Sequence, residues 1–349
     1  MSPLNKRVTI KDVAKEAGVA KSTVSRTFNA GESVSPVTKE KVLRIATQLG
    51  YSPNPLAQAL SVSSTKTVAI VIPNMESIHI SQVTRGVINT LSKHGYSVIT
   101  VDTSENFGMQ TSVHKPLANQ LVDGIINCYA SANDEIKQLS LMKPVVCIGD
   151  KPDGYEADYV GIDYEQGYHR LCHYLKEKNK NNICLINGQR DRYAVGRSED
   201  FQRIARSLGL SMVDEWVLYA NWTPYSGYQA MQELLCREEK KPDVVVCASD
   251  MVALGALKAI NNAGYRVPED IAICGMDDSM ISKYTIPSLT TLKFSPYRLG
   301  KKAAEVMLER LKNKDLVRTE HVMSVDVEKR NSVSRDEDHL EQWKGENDE

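Results

Sequence analysis

Two hydrophobic rhythms divide the chain. Up to Gly50 apolar positions recur at helical spacing, whereas from Thr67 onward short apolar runs alternate with helical stripes. Ile10, Val13, Ala14 and Ala17 stand at i, i+3, i+4 and i+7; Thr9 and Asp12 can cap the first turn, and Gly18 can take the left-handed conformation that ends a helix. A second helix would bury Val24 and Phe28 and turn Lys21, Ser22, Ser25, Arg26 and Asn29 outward. Ser35-Pro36 is a helix-start signal, after which Val42, Ile45, Ala46 and Leu49 repeat the stripe up to Gly50. Helix, tight turn and helix with a basic polar face suit a DNA major groove. An ordinary amphipathic hairpin shares the local pattern.

From Thr67 the apolar runs predict strands at Thr67 to Pro73, Ser97 to Asp102, Gly124 to Cys128, Pro144 to Ile148, Ile183 to Asn187, Val244 to Ala248 and Ile271 to Gly275. The stripes between them predict helices at about Ile80 to His94, Thr111 to Leu121, Glu165 to Lys178, Ser198 to Leu208, Ser226 to Glu239 and Met251 to Ala263. Such alternation means parallel sheets covered by helices on both faces. It is too long for one sheet, so two doubly wound lobes are expected, with a ligand crevice at the carboxyl ends of the strands. Asp163 and Asp250 read as helix N-caps.

Charge changes the picture at one end. The formal net charge of the 349 residues is -1, yet residues 1 to 66 hold ten Lys/Arg against four acids, +6, which leaves -7 for the rest. A basic head on an acidic body favours a polyanion at that end alone. No apolar run precedes Lys6, and no stretch approaches the roughly 18 apolar residues of a membrane span. A cytoplasmic protein that meets no membrane is expected. The seven cysteines form no CxxC pair and read as buried free thiols, so no metal site is expected. No phosphate-binding GxGxxG or GxxxxGK[ST] follows a strand, and no convergent acid, base or metal set is visible, so no cofactor and no enzyme activity is expected.

After Gly50 comes Tyr51-Ser52-Pro53-Asn54-Pro55-Leu56-Ala57-Gln58-Ala59-Leu60. With the turn motif and Val24-Ser25-Arg26, it makes residues 7 to 60 resemble the DNA-binding headpiece and hinge of the LacI/GalR family of bacterial transcriptional regulators. The resemblance implies a helix-turn-helix headpiece over 1-52, a hinge helix and linker over 53-65, a two-lobed periplasmic-binding-protein-like effector and dimerisation core over 66-333, and a disordered acidic tail over 334-349. It also implies DNA contacts from Thr9, Lys21, Ser22, Thr23, Ser25, Arg26, Asn29 and Tyr51, and from Asn54, Ala57 and Leu60 in the hinge, which would turn helical on the operator and wedge Leu60 into the minor groove. Ala20 departs from the Ser or Thr usual in the family.

For the core, the resemblance implies three crossings between the lobes, near Tyr159 to Tyr164, Leu292 to Pro296 and Ser324 to Val327. It assigns effector binding to Ser77, Asp150, Arg197, Trp222, Ser249 and Asp277, with Arg197 opening a helix and Asp277 just past a strand. A carboxylate, a guanidinium fork and an indole plate suit a sugar's hydroxyls and weakly polar face. Arg190, Arg192 and Arg197 together would favour an acidic or phosphorylated sugar. Each residue also has a duller reading: core for Trp222, surface for Arg197, turn for Asp277.

The expected protein is a homodimer that represses a carbohydrate-utilisation operon, bound to palindromic operator DNA and controlled by a sugar or sugar-acid effector. A corepressor-dependent regulator, an activator, and a sugar-binding protein or enzyme without DNA function stay open.

Overall fold

The computed structural model describes residues 8–28, 34–52, 64–103, 122–128, 133–149, 151, 157–190, 192–237, 240–313 and 315–335. Asn29, the hinge positions Asn54, Ala57 and Leu60, Asp150, the helix expected at Thr111 to Leu121, and nearly all of the expected tail lie outside them. The chain divides into two compact units, residues 1–67 with 121–123, and the remainder.

The first unit contains α1 (Ile10–Ala17), α2 (Lys21–Phe28) and α3 (Pro36–Leu49). They enclose Val13, Ala14, Ala17, Val24, Val42, Ile45 and Ala46, with Ile10, Phe28, Leu49 and Tyr51 half-buried at the margin. Thr9 opens α1 by donating both its N–H and its hydroxyl to the Asp12 carboxylate, at 2.8 and 2.7 Å. Gly18 ends α1 at φ 62° and Gly50 ends α3 at φ 66°, conformations that a side chain would strain.

The second unit is two lobes of one design. The N-lobe strands are β1 (Thr67–Ile72), β2 (Ser97–Asp102), β3 (Gly124–Asn127), β4 (Val145–Gly149) and β5 (Asp158–Ile162), with α4 (Ile78–Lys93) and α5 (Asn133–Ser140) between them. Next, α6 (Tyr164–Glu177) leads into the C-lobe: β6 (Ile183–Asn187), α7 (Arg192–Ser207), β7 (Val217–Tyr219), α8 (Pro224–Cys236), β8 (Val244–Cys247), α9 (Asp250–Asn262), β9 (Ala272–Met276), α10 (Met280–Tyr284) and β10 (Thr290–Lys293). Finally α11 (Pro296–Lys312), β11 (Glu320–Met323) and β12 (Asp326–Glu328) follow.

The sheets run β11-β5-β4-β3-β1-β2 and β12-β10-β9-β8-β6-β7. Each therefore reverses direction between its first and third strands, β1/β3 and β6/β8, the switch point at which doubly wound sheets bind ligands. β11 joins the N-lobe in parallel with β5, and β12 joins the C-lobe antiparallel to β10. The chain thus passes between lobes after β5, after β10 and between β11 and β12.

Several expectations need correction. The strands that lead into two of the expected crossings, Asp158–Ile162 and Thr290–Lys293, were not anticipated, although the crossings themselves fall where expected. α11, α5, α10, β7, β11 and β12 were not anticipated. α7 starts at Arg192, not Ser198, because Ala194 and Val195 extend the helical run, so Arg197 stands within the helix and does not open it. Asp163 does cap α6, accepting from the Gln166 N–H at 2.9 Å. Asp250 is not a cap: Ser249 takes that place, accepting from the Val252 N–H at 3.2 Å. Cys147, Cys172, Cys184, Cys247 and Cys274 are buried free thiols, but Cys128 is half-buried and Cys236 exposed.

Helix contact in both lobes depends on glycine. A Cβ on Gly86 of α4 would lie 2.2 Å from the Tyr297 carbonyl oxygen, and one on Gly300 of α11 would lie 2.0 Å from the Val83 carbonyl oxygen. Gly255 of α9 likewise abuts the Pro224 carbonyl of α8. Backbone cannot step aside as a side chain can. A Gly300→Val variant is therefore expected to lose about 1 to 3 kcal/mol of stability through overpacking, outweighing the smaller gain in helix propensity. Urea denaturation checks this; unchanged or raised stability would refute the close crossing.

Candidate functional site

In the headpiece, α2 begins where the Ala20 carbonyl accepts from the Thr23 and Val24 N–H groups at 2.9 and 3.2 Å. Val24 is buried, which fixes the rotation of the helix. Lys21, Ser22 and Arg26 are exposed, and Thr23 and Ser25 are half-exposed. Ser22, Ser25 and Arg26 share one face at i, i+3 and i+4 spacing. Of the other expected contacts, Thr9 is exposed with its hydroxyl engaged by Asp12. Tyr51 meets Phe28 edge-on with ring centroids 5.8 Å apart, and burial raises its phenol above the usual value.

In the core, every C-lobe residue assigned to the effector lies past the carboxyl end of a strand, the position ligands take in such sheets. Arg197 follows β6, and its guanidinium stacks 5.5 Å from the Tyr164 ring centroid. Tyr164 in turn lies beside Tyr168, which meets Phe201 at 5.1 Å. Arg190 stacks over Tyr219 at 5.4 Å. The backbone of Arg192 starts α7; its side chain is outside the description. Trp222 follows β7 at φ 57°, 42% exposed rather than core. Its indole packs over Gly188, where a Cβ would come within 2.1 Å of the ring. Ser249 follows β8 as the buried cap of α9, and Ser77 caps α4, accepting from the Ile80 N–H at 3.4 Å.

Asp277 follows β9. With Asp278 it makes a turn at φ 109° and 48°, conformations costing about 1 to 3 kcal/mol each in a non-glycine residue. The surroundings hold that turn in place. The Asp277 N–H donates to the Leu292 carbonyl at 3.0 Å, and Arg330 donates to the Asp278 carboxylate, to Ser282 Oγ at 3.0 Å and to the Leu289 carbonyl at 2.8 Å. Lys293 lies 3.8 Å from Asp278 and donates to Glu328 at 2.8 Å.

Beneath the turn lies Asp250, 1% exposed. It accepts from the Ser279 N–H at 2.7 Å, Ser279 Oγ at 2.8 Å and Thr291 Oγ1 at 2.7 Å. Burial and then the Asp277 charge push its carboxyl up to about 7, against the donors' pull in the other direction.

The N-lobe contributes His79, which sequence reasoning missed. His79 Nδ1 stands 3.2 Å from Asp277 Oδ1. Its ring meets Phe294, just past β10, edge-on at 5.6 Å. Both line an open cleft of about 970 Å³ together with Gln82, Ser279, Tyr284, Lys293, Arg298 and Ser324. Of the six expected effector residues, Asp277 alone lines this cleft; Ser77, Arg197, Trp222 and Ser249 do not, and Asp150 is undescribed.

Among the described residues no group of three or more His, Cys, Asp or Glu side chains could hold a metal ion, and no helix is long and apolar enough to cross a membrane. Burial pushes the Cys172 thiol up to about 12 and raises the thiols of Cys184, Cys247 and Cys274, so these sulfurs stay protonated and inert.

A DNA-facing three-helix headpiece followed by two switch-point lobes defines a ligand-responsive regulator. Comparison with known proteins agrees. Residues 9–54 match the profile of bacterial regulatory proteins of the lacI family, and residues 172–333 match the periplasmic binding protein-like domain. The chain is 32% identical to the HTH-type transcriptional repressor PurR of Aliivibrio fischeri strain MJ11, with 93% of this chain and 98% of that protein covered. It is 33% identical to PurR of Haemophilus influenzae strain PittEE, with 88% and 92% covered. The lac repressor dimer bound to operator and the anti-inducer ONPF superposes at TM-score 0.83 and 26% identity, over 94% of this chain and all of that one. The transcriptional regulator CelR in complex with cellobiose superposes at 0.68 and 30% identity, over 93% and 100%.

The chain belongs to the lacI family of bacterial regulatory proteins. It is a DNA-binding transcriptional repressor and not an enzyme.

Proposed function

We propose that this repressor controls a carbohydrate-utilisation operon in the cytoplasm, binding palindromic operator DNA as a homodimer and answering to a sugar or sugar acid held by the core. In this reading residues 1-52 read bases, 53-65 form the hinge, 66-333 bind effector and partner, and 334-349 are a disordered tail. Lys21, Ser22, Thr23, Ser25 and Arg26 enter the major groove with Asn29, while Asn54, Ala57 and Leu60 follow in the minor groove. The observation that carries the effector half is the row of groups past the C-lobe strands: Arg197 on its tyrosine plate, Trp222 half-exposed over Gly188, and Asp277 on a turn held by Arg330. A guanidinium, an indole face and a carboxylate suit a ring that has both hydroxyls and an apolar face. The cellobiose complex of CelR supports the same class. Tyr225, Met280, Tyr284 and Ile286, between 61% and 88% exposed on the C-lobe, supply apolar surface for a second copy.

The test pairs selection of operator fragments from random DNA with a thermal-shift screen of sugars, sugar acids and nucleobases. Arg26→Ala should cost about 1 to 3 kcal/mol on the selected site, as expected for a lost bidentate guanine contact. Asp277→Asn should abolish the shift given by the active sugar and leave ligand-free DNA binding intact. Stabilisation by a nucleobase and by no sugar would overturn the carbohydrate assignment. Undiminished operator affinity of the Arg26 variant would overturn the groove assignment.

A further inference from the structure

His79 and Asp277 are 198 positions apart in sequence and belong to opposite lobes, yet their side chains meet at 3.2 Å. Only 25% and 17% of these side chains are exposed. A carboxylate so shielded needs a hydrogen-bonding partner, and the imidazole is placed to be it. The same ring packs on Phe294, in the segment that passes from the C-lobe into α11. One side chain thus ties α4, the turn after β9 and a crossing segment together at the mouth of the cleft.

We propose that His79 is a built-in competitor for the effector at Asp277, holding the lobes together in the ligand-free protein and giving way to ligands whose own donors can take its place. The inference rests on the reading of Asp277 as an effector anchor. An incoming group must donate to the Asp277 carboxylate and cover the edge of Phe294, which selects a hydroxyl or amino group carried on a ring. An anionic group placed directly against the Asp277 carboxylate would meet like charge there and is rejected. A sugar acid would therefore point its carboxylate away from Asp277, toward the stacked arginines past β6.

Hydrogen exchange on the full-length, ligand-free protein tests this directly. His79→Ala should raise exchange about threefold to tenfold in the segments around residues 78–82 and 290–296, while amides of β6 and β8 stay unchanged. His79→Gln, which keeps a donor, should fall between wild type and His79→Ala. Asp277→Asn should give a similar rise, and adding His79→Ala to it should add nothing, because both remove one contact. Unchanged exchange in His79→Ala, or additive effects in the double variant, would overturn the latch. No ligand enters this measurement, so its failure is distinct from failure of the effector assignment, which is signalled by an Asp277→Asn protein that keeps its ligand-induced thermal shift.

Discussion

An Arg310→Leu variant is expected to lose about 3 to 5 kcal/mol of stability, the penalty for stranding a buried charge. Arg310 of α11 donates from Nε and Nη2 to the two oxygens of Asp158 in β5, each at 2.9 Å, with the side chains 3% and 1% exposed. Thr319 adds its N–H and hydroxyl to the same carboxylate at 3.0 Å, and Arg310 also donates to the Leu316 and Val317 carbonyls. Burial alone would push the Asp158 carboxyl up, but Arg310 and Thr319 outweigh it and hold the group below its ordinary value. The contribution is therefore present above the unfolded carboxylate value and is lost as pH falls through the lowered one. Urea denaturation near pH 7 measures the loss. Removing both partners, as Arg310→Leu with Asp158→Leu, should cost less than Arg310→Leu alone; a double variant at least as unstable as the single would refute the stranded-charge explanation.

Asp250→Asn is expected to act in the opposite direction. The fold prefers this carboxyl protonated, its value raised to about 7 by burial and by Asp277. Its contribution is most favourable below the unfolded value near 4 and declines as pH rises to about 7, by several kcal/mol at roughly 1.4 kcal/mol per pH unit. Asparagine fits the same pocket: its oxygen can accept from Ser279, and its amide can donate to Thr291 Oγ1. The difference in stability between variant and wild type should then grow in the variant's favour from pH 4 to 7 and level off above. A difference independent of pH would show that Asp250 is ionised in the fold throughout that range.

How much could be read from the chain depended on whether a signal was local. α1 to α3 were legible because caps, stripes and terminating glycines all lie within a few residues of one another. The central strands β1, β3, β4, β6, β8 and β9 were legible because they are covered on both faces and so read as unbroken apolar runs. α11 carries the same Ser-Pro start as α3, in Ser295-Pro296, and an apolar stripe from Leu299 to Leu308, but that start coincides with the crossing expected near Leu292 to Pro296, which masks it. β11 and β12 are short, peripheral and largely polar, so their identity comes from the strands they join, which no local pattern records. Asp277 and Trp222 could be placed past their strands. His79 against Asp277, and Arg310 against Asp158, are pairings 198 and 152 positions apart that only the folded chain reveals.

The late arrival of α11, β11 and β12 has a consequence for synthesis. While residues up to about 295 leave the ribosome, β5 exposes the edge that β11 will occupy, α4 lacks its glycine-lined partner, and Asp158 waits for an arginine not yet made. Neither lobe is finished until its last contribution arrives, at Met323 for one and, past β12, at Arg330 and Ser332 for the other. A chain cut short before residue 320 would thus leave both lobes with open strand edges, and its fate is aggregation or proteolysis, not a surviving half-protein.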